Sequence, residues 1–314
     1  MIISASRRTD IPSYYSEWLI NRIDEGFVYV RNPMNYHHIS KISLIPDVVD
    51  GIVIWSKNPM PMMNYIDKLL KYNFYFQYTL NPYDNDVETN LPSKIKCLIP
   101  NFCKLSQIIG KERIVWRYDP IFLSDKYNIN YHKYNFELLA SKLSGYTEKC
   151  TISFIDLYTN TRNSIKPHKI FAPNTEEQNE IVMCFNEIAK KYGLYIDTCA
   201  EINDFSKYGV LHACCIDKER LERIGKYKLN VKKDNEQRGA CGCVSSIDIG
   251  SYNTCKNGCV YCYANYNSTI VKRNNKLHNP LSPLLYGEIE SDDVIYERKM
   301  KSYVDNQATV FDYL

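Results

Sequence analysis

The sequence predicts an α/β protein, a TIM-like full or partial (βα) barrel that ends in a C-terminal cysteine-rich segment. Three observations predict it. Apolar runs of strand length recur six times, each passing into polar side chains. Stretches with helical spacing lie between them, and cysteines crowd toward the last third of the chain. Strands alternating with helices form βα units and a parallel sheet. In a barrel of such units the loops after the strands make the active face. A doubly wound open sheet satisfies the same alternation, so periodicity leaves barrel closure open.

The first run, residues 2–6, passes into Arg7-Arg8-Thr9-Asp10-Ile11-Pro12 and reads as a buried strand leading to a polar loop. Pro12 and Ser13 open a helix whose apolar residues keep helical spacing over 14–23, with Gly26 as its stop. Residues 27–32 and 38–44 have β character and flank the Asn32-Pro33 turn signal, which predicts a hairpin. Run 51–55 then ends in Ser56-Lys57-Asn58-Pro59, run 74–80 in Asn81-Pro82, and run 114–118 in Asp119-Pro120. Run 151–154 ends in Ile155-Asp156, and 194–196 leads to Asp197-Thr198-Cys199-Ala200-Glu201. Helices are predicted over 62–71, 95–109, 134–143 and 175–192. Residues 245–254 read as turns, 274–283 as irregular chain, and 307–311 as a terminal apolar signal.

This arrangement brings Arg7, Arg8, Asp10, Lys57, Asn58, Gln77, Asn81, Arg117, Asp119, Asp156 and Glu201 to one rim. Any one of them serves equally well as a cap or turn former, and the prolines after Asn58, Asn81 and Asp119 fit simple turn chemistry. The recurrence marks the group. Within it, Arg7, Lys57, Arg117 and Asp119 are the catalytic candidates, placed to hold a carboxylate of substrate or cofactor.

The chain divides into a barrel-like domain, 1–235, and a cysteine-rich segment, 236–314, packed on the barrel mouth. Its 314 residues suffice for a substantial core. With 39 basic and 36 acidic residues the net charge is +3, too small to argue for a nucleic-acid footprint. No apolar run approaches the roughly 18 residues of a membrane span, and no leader is apparent, so the expected location is cytoplasmic. Without export, the twelve cysteines point to metal or redox chemistry rather than disulfides.

Three of those cysteines lie within eight residues: Cys255-Lys256-Asn257-Gly258-Cys259-Val260-Tyr261-Cys262. Thiolates at this spacing hold soft metal. Two occupants fit. A [4Fe-4S] cluster on three cysteines leaves one iron without a protein ligand and open to chemistry, whereas a closed carrier cluster takes four. A zinc ion would need a distant fourth ligand. Cys97, Cys103, Cys150 and Cys184 are scattered and read as small apolar residues. From the remaining five, Cys199, Cys215, Cys241 and Cys243 are the preferred set for a second iron-sulfur cluster or a zinc ion, with unliganded thiols as the plain alternative; Cys214 is the fifth.

The C-x3-C-x2-C spacing, with Tyr261 before the third cysteine, resembles the signature of the radical S-adenosylmethionine superfamily. The resemblance implies that the open iron chelates the amino and carboxylate groups of S-adenosylmethionine. One electron then cleaves it to methionine and a 5′-deoxyadenosyl radical. It also implies an electron donor such as a flavodoxin or ferredoxin, and a place for Tyr261 beside the adenine. Ser4-Ala5-Ser6-Arg7-Arg8-Thr9-Asp10-Ile11-Pro12, Trp55-Ser56-Lys57-Asn58-Pro59, Arg117-Tyr118-Asp119-Pro120 and the block 241–265 together resemble the bacterial family called domain of unknown function 1848. That family is noted for C-terminal cysteines of the same kind. Tyr261-Cys262-Tyr263-Ala264 is similar to relatives of spore photoproduct lyase, which implies a nucleic-acid lesion as one substrate class.

The chain also departs from the superfamily pattern, in which the cluster loop follows the first barrel strand and a Gly-Gly-Glu on the second binds the methionyl amine. Here the triplet follows the predicted strands and no Gly-Gly-Glu occurs. Either the C-terminal loop folds over the barrel mouth, or the cluster does not bind S-adenosylmethionine. The expected function is therefore a radical S-adenosylmethionine enzyme of unknown substrate. The alternative is a non-catalytic iron-sulfur or zinc protein that carries electrons or binds nucleic acid.

Overall fold

The recurring apolar runs are strands of one sheet. The computed structural model describes residues 1–235 and 237–305; residues 307–311 lie outside the described residues. The strands are β1 (Ile2–Ala5), β2 (Phe27–Asn32), β3 (Asn35–Ser43), β4 (Gly51–Ser56), β5 (Phe74–Thr79), β6 (Ile114–Ile121), β7 (Lys149–Phe154), β8 (Tyr195–Thr198), β9 (Leu211–His212), β10 (Ile247–Asp248) and β11 (Val294–Glu297). Eight of them form the central sheet in the order β10-β1-β4-β5-β6-β7-β8-β9, and every neighbouring pair is parallel. From β1 to β9 the spatial order follows the chain without the reversal of a doubly wound sheet. Among the described residues no strand pairing joins β9 to β10; the segments beside them meet where Val244 N donates to Ile216 O at 3.2 Å.

The pleat sorts side chains to two faces. Ile52 and Ile54, Phe74 and Phe76, Ile114 and Trp116, and Ile152 and Phe154 pack into the large core beneath the helices. On the opposite face Ile2, Val53, Tyr75 and Val115 pack with Cys215, Ile216, Cys241, Cys243 and Val244. Both faces of the parallel sheet are thus covered. Arg117 alternates with Trp116 and Tyr118, so its side chain lies on the second face, where the cysteines are.

The helices Ser16–Glu25, Ile99–Ile109, Ile129–Leu143 and Thr175–Lys191 flank the sheet. The first stops at Gly26, which takes φ 80° and donates its N–H to Arg22 O at 2.9 Å. Ile129–Leu143 begins five residues before the predicted start because Asn128 caps it, accepting from Tyr131 N at 2.9 Å, a polar signal outside the apolar pattern. Thr175–Lys191 opens with a capping box between Asn174 and Glu177. Phe136 and Phe185 stack between these two helices at 3.8 Å, centroid to centroid. The single helix predicted over 62–71 is two short turns, Met60–Met63 and Ile66–Leu69. Residues 94–98 make a wide π-helical turn before Pro100, whose ring nitrogen has no hydrogen to donate.

The hairpin of β2 and β3 forms a second sheet with β11. No helix is long and apolar enough to cross a membrane among the described residues. The region read as turns, 245–254, holds β10, and its parallel pairing of Ile3 with Ile247 and Ser4 with Asp248 brings the cysteine triplet to the sheet.

Candidate metal centre

Parallel strands deliver their C-terminal ends, and the loops that follow, to one side of the sheet. There the structure has a cavity of about 560 Å³. Arg7, Lys57, Arg117 and Asp119 line it, as do Tyr261 and the triplet Cys255, Cys259 and Cys262. Cys199, Cys215, Cys241 and Cys243 line it too, while Cys214 does not. Of the remaining rim residues, Arg8, Asp10 and Asp156 reach the wall; Asn58, Gln77, Asn81 and Glu201 stand behind it.

The triplet loop is tied down on both sides. Val260 N donates to Val87 O at 3.0 Å, Asn90 N to Asn257 O at 3.0 Å, and the Asn90 side chain to Lys256 O at 2.7 Å. Gly258 turns the loop at φ 69°, with Thr89 and Asn90 packed close against its Cα. From the other side, Asn257 donates to Asp10 Oδ2 at 3.0 Å and accepts from the Tyr14 hydroxyl at 2.7 Å. Asp10 also accepts from Ser56 Oγ at 2.7 Å and Lys57 N at 2.8 Å, so one carboxylate joins the exits of β1 and β4 to the cysteine loop.

β10 is fixed by a second carboxylate. Asp248 accepts from Ser4 Oγ at 2.7 Å, Ser6 Oγ at 2.6 Å, Arg7 N at 2.8 Å and Gly250 N at 2.9 Å.

Counting donors separates the four predicted polar residues. Lys57 Nζ donates to Glu88 Oε1 at 2.8 Å and to the Tyr261 hydroxyl at 3.0 Å. Arg117 engages Asp119 through Nε and Nη2, and its Nη1 reaches Gln77 and, at 2.9 Å, Cys215 Sγ. Asp119 in turn accepts from Ser153. Arg7 and Arg8 are freer, with Nε 3.9 and 4.0 Å from the Asp248 oxygens and no bidentate partner. Among these charged side chains the guanidinium groups least tied to a carboxylate are thus Arg7, whose Nη2 reaches only Ser246 Oγ at 3.4 Å, and Arg8.

Glu88 was missed by sequence reasoning, because a single acidic residue in a loop carries no pattern. It is 1% exposed and accepts from Lys57, Lys94 and Tyr261. Burial alone would raise its carboxyl, but the two ammonium groups hold it down at about 2. The ring of Tyr261 packs near Tyr83 and Phe122, with centroids 6.0 and 5.9 Å away.

The thiols are unpaired in disulfides. Burial pushes Cys255 well above the ordinary thiol range and Cys259 up to about 12, so an adjacent cation is what would turn them into thiolates. The donor set as it stands does not close on a single zinc ion. Thiolates on one tetrahedral zinc stand about 3.8 Å apart, given Zn–S bonds of about 2.3 Å. Among the described residues, three or more His, Cys, Asp or Glu ligand atoms lie mutually within 4.8 Å only at His37, Glu290 and Asp292, on the surface away from the cavity. The three thiols of the triplet are therefore spread more widely than one ion requires.

Fold and cavity together define a parallel α/β protein with a thiol-lined cavity at the carboxyl ends of its strands. The chain belongs to the family described as Domain of unknown function (DUF1848), whose model matches residues 2–264. That span contains β1 through β10 and the seven cavity cysteines, and excludes β11. No curated protein and no solved structure matches the chain.

Proposed function

We propose that the protein is a radical S-adenosylmethionine enzyme on a partial βα barrel, with a [4Fe-4S] cluster held by Cys255, Cys259 and Cys262. One observation carries this reading. The triplet, last in sequence, follows β10, and β10 lies beside β1 at the edge of the sheet. In space the cysteine loop thus leaves the edge strand β10, one position before β1, which corresponds to the first strand of the superfamily pattern, and the residues after β1, Ser6 to Asp10, stand where a second strand would end.

When bound, the cluster supplies the electron that cleaves S-adenosylmethionine to a carbon radical. The chain does the rest. Asp10, Asn257 and the segment around Glu88 hold the loop in one shape, and Lys57 with Tyr261 presents a neutralised polar wall beside Cys259. Arg7 and Arg8 offer donors to a carboxylate, and the cavity keeps water from the reacting carbon. An electron donor of flavodoxin or ferredoxin type and an as yet unidentified substrate complete the reading.

Anaerobic reconstitution with iron and sulfide, dithionite reduction and electron paramagnetic resonance test it. The reduced signal is expected to change on adding S-adenosylmethionine, and Cys259→Ala to abolish reductive cleavage in a folded chain. A signal indifferent to S-adenosylmethionine, or zinc in place of iron, leaves a carrier or structural-metal protein instead.

A further inference from the structure

We infer that Cys199, Cys215, Cys241 and Cys243 bind a second iron-sulfur cluster on the far wall of the same cavity. The inference stands apart from the S-adenosylmethionine reading, because it uses none of the triplet's residues.

These four thiols come from three separate segments: the end of β8, the chain after β9, and the C-x-C that precedes β10. Two of the segments belong to opposite edges of the sheet, so only the folded chain assembles them. Cys199 and Cys215 Sγ are 2.8 Å apart, the Cys215 thiol in turn is hydrogen-bonded to Cys243, and Cys243 to Cys241, all four being free thiols. All four line the cavity. The fifth cysteine of the region is turned aside: Cys214 Sγ donates to Gly242 O at 3.0 Å and is absent from the cavity wall. The geometry thus selects four ligands where the sequence offers five.

A second, independent observation is that N–H donors are aimed at these sulfurs. Arg117, whose side chain is 5% exposed, directs Nη1 at Cys215 Sγ from 2.9 Å, and Ile216 N donates to Cys243 Sγ at 3.3 Å. N–H groups aimed at buried sulfur are what hold thiolate ligands of iron-sulfur clusters and tune them. Asp119 already meets Arg117 through Nε and Nη2, so it is the remaining Nη1 that is turned to sulfur. The row Cys199, Cys215, Cys243, Cys241 is also too drawn out for one tetrahedral ion, since no three of its sulfurs lie mutually within 4.8 Å. Thiolates on different irons of one cluster tolerate that spread.

The test uses the full chain carrying Cys255→Ala, Cys259→Ala and Cys262→Ala, reconstituted anaerobically with ferrous iron and sulfide. Metal and acid-labile sulfide are then assayed beside the unchanged protein. The expected result is retained iron and sulfide at roughly half the unchanged protein's content, lost when Cys199→Ser or Cys243→Ser is added and kept when Cys214→Ser is added. Absence of iron in a chain with unchanged circular dichroism overturns the proposal, as does zinc in its place. Equal loss with Cys214→Ser overturns the choice of ligands. Should the triple variant fail to fold, iron and sulfide in the unchanged protein decide: more than one cluster per chain supports the proposal, and one cluster overturns it. Response of the signal to S-adenosylmethionine belongs to the triplet alone, so the two readings fail separately.

Discussion

Lys57, at the exit of β4, and Glu88, in the loop after β5, form an ion pair of 2.8 Å against the backbone that carries Cys259. Lys94 meets the other carboxylate oxygen at 2.7 Å. Glu88→Gln leaves two largely buried ammonium groups around a neutral amide, and a loss of about 3 kcal/mol is expected in denaturant unfolding. Adding Lys94→Met should recover part of it; strict additivity would show that the pair is not coupled.

Asp248→Ala removes the acceptor of four hydrogen bonds, and Ser4 and Ser6, 0% and 2% exposed, are left without it. A cost of about 3 kcal/mol follows. Because those bonds also hold β10 against β1, the triplet should lose iron in step with stability. Full iron occupancy in Asp248→Ala would separate the cysteine loop from the sheet edge.

Gly258→Ala places a methyl group 3.0 Å from Asn90 Nδ2 in a backbone with φ 69°. A loss of about 1 kcal/mol is expected from the left-handed conformation. Iron and sulfide assays should register the damage at the triplet and spare the second set of cysteines.

Arg117→Lys keeps a cation opposite Asp119 but lacks the planar fork that also reaches Cys215. Losing an N–H donor to a ligand sulfur makes a cluster harder to reduce. Redox titration in the triplet-free background should find a more negative potential, and an unchanged one would detach Arg117 from that site.

His132 sets an acid limit on the fold. Its Nε2 donates to Phe122 O at 2.8 Å, so Nδ1 accepts from the Tyr118 hydroxyl, also at 2.8 Å, and the ring must be neutral. Burial lowers its pKa to about 4, while the unfolded side chain stays near 6.5. Between those values the unfolded chain binds the extra proton. Stability is therefore complete above about pH 6.5 and falls by roughly 3 kcal/mol as pH drops to 4. His132→Gln should flatten this part of the profile in unfolding experiments at pH 7 and 5.

Six of the seven strands of the chain-ordered series, β1 and β4 to β8, were legible because each is an apolar run of several residues that stops at polar side chains; the two-residue β9 was not. Nor was Ile247–Asp248, since two residues carry no period and, Ile249 and Tyr252 apart, the chain around them is Ser, Gly, Asn and Thr. The helix Ser268–Lys276 escaped for another reason: its sequence is polar on most sides, and Asn267 starts it by accepting from Thr269 N and Ile270 N. The twelve candidate site residues, marked by spacing, by recurrence and, for Tyr261, by resemblance, all line the cavity. What escaped are the residues that brace them, Glu88 and Asp248, whose partners are remote in sequence and unreadable from local pattern.

Ser4 and Asp248 are 244 positions apart. At ordinary rates of synthesis β1 therefore keeps an unpaired edge for on the order of tens of seconds before Asp248 is made. The wall of Arg7, Lys57 and Arg117 exists before the triplet has left the ribosome. Assembly of the triplet loop on the sheet therefore waits for residues 247–262, and a nascent chain stalled before Ile247 offers an unpaired strand edge that invites chaperones.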